Sequence, residues 1–142
     1  MRRGSNSGSA ASESARAVSS TFVAAGLFAL VGWLAGFGSL VVRARLHLGH
    51  WPVGRSGNPF DGSYRAESID PDRYGLHCDL TWLFFIAAAW VLPFSTIVLL
   101  ASLVSRRTRP PAALTVVYLL ALALAAVTIA FDPGGFFNWF AD

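Results

Sequence analysis

The chain contains no lysine: its eleven basic residues are all arginine. Charged residues of both signs fill only 13% of its 142 positions, about half the share usual in a soluble domain. Too little polar surface is present to cover a soluble fold. Three stretches, Phe22 to Val42, Leu80 to Val104 and Ala112 to Phe131, hold no charged residue at all. Proton relays and ion pathways normally need ionisable groups inside the membrane, so this absence argues against a pump or transporter acting alone. With a single cysteine, Cys78, an internal disulfide is excluded, as is any Cys-x-x-Cys metal or redox motif. No arginine cluster is interleaved with aromatic residues, which argues against a nucleic-acid partner. Gly-x-Ser-x-Gly, His-Glu-x-x-His and a phosphate loop are all missing, so no enzymatic activity is expected.

What the chain does have is apolar residues, 54% of the total, gathered into long runs rather than spread at helix or strand period. That blocking is the signature of membrane-spanning helices. The sequence predicts an all-α membrane protein with three transmembrane helices, at about residues 18–46, 80–104 and 112–131. A long polar loop, 47–79, separates the first helix from the second. Residues 1–17 are mostly Ser, Gly, Ala and Arg with no apolar period, and such a segment is expected to be a disordered tail. The first apolar run is too long for the h-region of a signal peptide, so the first helix is expected to be retained.

Within the first helix, Gly32 and Gly36 form a small-x-x-x-small pair that lets another helix backbone come close. The pair reads as a groove for a helix of the same chain, with a dimerisation face as the alternative. The second helix is expected to open at Asp79, a good N-cap, and to kink at Pro93, which removes a donor and crowds the Ala89 carbonyl. Ser95 and Thr96 are placed to re-satisfy the freed backbone. Trp90, deep in this helix, is expected to face a neighbour. The connection from Ser105 to Pro111 is short enough to make the second and third helices antiparallel neighbours. On the third helix, Ala121, Ala125, Ala126 and Ala130 supply small faces. Asp132 and the two glycines after Pro133 should end it. The tail 132–142, with Phe136, Phe137, Trp139 and Phe140, reads as an interfacial anchor.

Arginines set the orientation. Arg106, Arg107 and Arg109 are dense in a short turn, which marks the cytoplasmic side. The amino terminus is then inside, and the segment from Arg43 to Asp79 and the carboxy terminus are outside, in a bacterial inner membrane. Arg43 and Arg45 pull the other way.

The polar segment carries all three histidines. His47 and His50 share a helical face if the helix persists that far, and His77 waits near the second helix beside Asp79. Imidazoles with a carboxylate are ligands for zinc or copper, and histidine pairs hold haem. The spacing matches no specific metal signature, so the preferred reading is separate interface anchors that do not converge, with no cofactor implied. Leu48-Gly49-His50-Trp51-Pro52, followed by Asn58-Pro59 and by His77, resembles a loop pattern of small, uncharacterised multi-pass bacterial membrane proteins. The resemblance covers about 40 residues; it implies a membrane fold and carries no activity. The expected role is structural or partner-binding, with the lipid bilayer and a membrane protein partner or a second copy as partners. The alternative is a metal- or haem-binding membrane protein using the loop histidines.

Overall fold

The computed structural model describes residues 6–49, 51, 71–105, 108–132 and 136. They form three helices, α1 (Asn6–Leu48), α2 (Pro71–Val104) and α3 (Ala112–Phe131), and no strand is present among the described residues. Each helix is long and apolar enough to cross a membrane. At about 1.5 Å per residue, the 20 residues of α3 span roughly 30 Å, the thickness of the hydrocarbon core. The 43 residues of α1 reach roughly 64 Å, so α1 outruns a single span by about a factor of two. The fold is the all-α membrane architecture the apolar runs predict.

The helix boundaries differ from that expectation at two ends. α1 begins at Asn6, so residues 6–17 are helical where a disordered tail is expected. Ala10, Ala11, Ala15 and Ala17 are strong helix formers, and extending an existing helix avoids the cost of nucleating one. α2 begins at Pro71, well before Leu80. Proline suits a first turn because its missing donor is one that no helix start can pair. Gly75 lies inside α2, tolerated at a cost of about 1 kcal/mol relative to alanine. Asp79, expected as an N-cap, is therefore an exposed residue within the helix. The connection between α1 and α2 is shortened at both ends; His50 and residues 52–70 lie outside the described residues.

The ends are closed by identifiable devices. Gly49 has φ of 78° and its amide donates to the Arg45 carbonyl at 3.1 Å, the geometry of a left-handed cap that glycine adopts without penalty. The last turn of α2 is capped by a side chain: Arg109 donates from Nε (3.0 Å) and Nη2 (2.7 Å) to the Leu103 carbonyl. A guanidinium there satisfies an orphan acceptor and complements the negative helix end. Asp132, with φ of 37°, turns the chain out of α3.

Burial follows a seven-residue repeat. On α1, Ser19, Val23, Gly26, Leu30, Trp33, Phe37, Leu40 and Ala44 are buried, alternating steps of four and three. On α2 the buried set is Thr81, Ala88, Ser95, Ser102 and Leu99, and on α3 it is Tyr118 and Ala125. Such spacing is the seam of knobs-into-holes packing. Apart from Leu99, the buried α2 residues are small, as close approach in lipid requires. Trp90, expected to face a neighbour, is instead 71% exposed, while Trp33 of α1 is 1% exposed. With Ala88 and Ser95 on the seam, Trp90 falls on the opposite side of the helix.

The chain divides into two compact units, one of Met1–Val31 with Phe85–Leu122 and one of Gly32–Phe84 with Ala123–Asp142. In the first, Val23, Leu99 and Tyr118 form the core, with Leu27, Leu92, Leu114 and Leu122 packed on it. In the second, Trp33 and Phe37 stack at 6.1 Å between centroids.

Candidate functional site

In the first unit the polar groups converge on Tyr118. α2 runs on through Pro93, and directly after it Ser95 and Thr96 turn towards α3. The Tyr118 hydroxyl lies 2.9 Å from that of Ser95 and 2.8 Å from that of Thr96. Ser95 also donates to the Leu92 carbonyl at 3.1 Å. The Leu92 carbonyl can only accept, whereas among the three hydroxyls either oxygen of each pair can be the donor. The two hydroxyls following the proline therefore serve the α2–α3 contact and the Leu92 carbonyl, where relief of the Ala89 carbonyl is expected from sequence. Gly26 of α1 completes the site. A Cβ there would stand 3.1 Å from the Tyr118 ring and would collide with Ser95.

The equivalent contact in the second unit uses the predicted glycine pair. Gly32 lies against the Phe84 ring, and a Cβ on Gly36 would stand 2.7 Å from Thr81 Oγ1. Both glycines thus receive α2 of the same chain. Thr81 is held in place by donating to the His77 carbonyl at 2.8 Å. One turn further on, Ser39 donates to the Gly36 carbonyl at 3.0 Å. His77 Nε2 sits 2.9 Å from Ser39 Oγ and 3.2 Å from the same carbonyl. The imidazole tautomer sets which of Ser39 and His77 donates to the other. Gly32, Gly36 and Ser39 meet Phe84, Thr81 and His77 in reversed order, so α1 and α2 run antiparallel here.

The sequence-predicted histidine set is spread along these elements. His77 lies inside α2, bonded to α1, and His47 is an exposed residue in the last turn of α1. α1 ends at Leu48, and His50 lies outside the described residues. Asp79 is exposed and Cys78 is a half-buried free thiol. Among the described residues, no three His, Cys, Asp or Glu side chains come together.

Beyond α1, the Trp51 ring lies 5.6 Å from that of Phe136, and the Arg45 guanidinium stands 5.6 Å over Trp51. A cation within about 6 Å of an indole is attracted by its quadrupole. Phe136 of the predicted anchor thus packs on Trp51; Phe137, Trp139 and Phe140 lie outside the described residues.

Three features were not legible beforehand: the role of Tyr118, the partnership of Ser39 with His77, and the capping by Arg109. Only the proximity of Ser95 and Thr96 to Pro93 pointed towards the first. In both units the hydroxyl, imidazole and glycine sites bring helices together. Compared with models of protein families, with curated protein sequences and with solved structures, the chain shows no significant match.

Proposed function

We propose that this chain is a small multi-pass protein of a bacterial inner membrane whose role is structural or partner-binding, without catalysis of its own. The observation that carries this reading is where the polar groups lying between helices go. Tyr118, Ser95, Thr96, Ser39 and His77 all serve helix-to-helix contacts, while large apolar side chains crowd the outside. Leu83, Ile86, Trp90, Phe94 and Ile97 of α2 and Leu120, Leu124 and Val127 of α3 are exposed. Those faces suit lipid and a second membrane protein or a second copy of this chain. The amino terminus and the arginine turn are cytoplasmic in this reading, and the segment 47–79 and the carboxy terminus face outwards. The loop's resemblance to that of small multi-pass bacterial membrane proteins, from which Asn58-Pro59-Phe60-Asp61 departs, supports the membrane part of this reading alone.

The test is purification from native membranes in mild detergent after in-cell crosslinking. A stoichiometric membrane protein partner or a homo-oligomer is expected. A lone monomer carrying a haem absorbance band or bound zinc or copper overturns the proposal in favour of the loop histidines as ligands.

A further inference from the structure

At the arginine end of the first unit lies an open groove of about 350 Å³, at the small end of the roughly 300–1,000 Å³ of ligand pockets. Ala15 and Val18 of α1 and Val98 and Ala101 of α2 form its apolar walls, with Ser19, Ser102 and Thr108 between them. The three hydroxyls are already engaged. Ser19 donates to the Thr108 carbonyl at 2.7 Å, Ser102 to the Leu99 carbonyl at 2.8 Å, and Thr108 to the Ser105 carbonyl at 3.4 Å. The wall is therefore mostly carbon, and its hydroxyl protons are already used within the protein.

The mouth is different. Arg16 stands one turn from Ser19 on α1, and its carbonyl also receives the Ser19 hydroxyl at 3.0 Å. Arg109 follows Thr108 and is anchored to the end of α2 by its bonds to the Leu103 carbonyl. Those bonds use two of the five donors of a guanidinium. Glu13 is the one acidic residue of α1, so positive charge prevails at this end. The groove also has the right depth. Ser102 lies near the end of the apolar span that closes at Val104, and Ala15 precedes the charge-free run that starts at Phe22.

We infer that this groove is a binding site for an anionic phospholipid, with an acyl chain between α1 and α2 and the phosphate beside Arg16 and Arg109. An apolar trough whose hydroxyl protons are spent within the protein, with Arg16 and Arg109 next in sequence to its lining residues Ala15 and Thr108, complements an amphiphile with a hydrocarbon tail and a negative head. A zwitterionic lipid satisfies the trough and not the charges. Each arginine near the membrane surface is worth about a fivefold preference for an anionic headgroup.

The experiment is native mass spectrometry of the full chain released from detergent micelles holding equal amounts of phosphatidylglycerol and phosphatidylcholine. Retained phosphatidylglycerol is expected to exceed phosphatidylcholine by about fivefold or more. Arg16→Gln with Arg109→Gln, which keeps amide donors at both positions, should bring that ratio close to one while lipid is still retained. Ala15→Leu or Ala101→Leu, from opposite walls, should fill the trough and remove the retained lipid with helicity by circular dichroism unchanged. Equal retention of the two lipids by the unaltered chain overturns the inference. So does undiminished retention in both leucine variants, or a dimer mass that these variants abolish, which would make a second copy the occupant.

Discussion

The hydroxyl oxygens of Ser95 and Tyr118 lie 2.9 Å apart, and both residues are wholly shielded from solvent. Two neutral groups thus join α2 to α3 where a charge would be costly to bury. Tyr118→Phe keeps the ring against Val23 and Leu99 and deletes only the hydroxyl. Hydrogen bonds between membrane helices are worth about 0.6 kcal/mol on average and about 1.7 at most. A loss of that size is expected in reversible unfolding in mixed micelles. An unchanged midpoint would mean that Ser95 and Thr96 find equivalent partners elsewhere.

The glycines of α1 should separate by what faces them. Gly36 abuts Thr81, whereas Gly38 has nothing within 4 Å of a Cβ position. Gly36→Leu should destabilise the bundle by roughly 1–3 kcal/mol, the usual cost of overpacking. Gly38→Ala should be neutral or raise stability by up to about 1 kcal/mol through helix propensity. Equal effects at the two positions would contradict the α1–α2 contact described for the second unit.

Two tryptophans give an optical check. Trp33 is enclosed and Trp90 faces outwards. In single-tryptophan variants reconstituted with brominated phospholipids, emission from Trp90 should be strongly quenched and that from Trp33 much less. Comparable quenching of both would place Trp33 on the lipid-facing surface.

Topology is read with an impermeant thiol reagent in intact cells, after Cys78 is replaced by alanine. A cysteine introduced at Thr108 should stay unlabelled, and one at Ser63 should react. The opposite pattern would reverse the proposed orientation and leave the helix count intact.

The number and position of the spans were determined by the sequence alone. The membrane demands about 30 Å of uncharged helix, and the places where charge is missing mark that length directly. α3 matches its apolar run at both ends for this reason, from Ala112 to Phe131. Where polar residues continue a helix beyond the apolar run, composition lost its power: Asn6 to Ala17 and Pro71 to Asp79 read as tail and loop, yet both propagate helices. Which side of each span turns inwards was decided only by tertiary structure. In a soluble helix the polar face betrays the buried one, but here both faces are apolar, and selection passes to shape. Small residues seven apart on α2 (Thr81, Ala88, Ser95, Ser102) are buried, Thr81 against Gly36 and Ser95 against Gly26 of α1, and Trp90 is left outside. The hydroxyl of Tyr118 acquires its meaning in the same way, because only packing brings it to Ser95 and Thr96 across the space between α2 and α3.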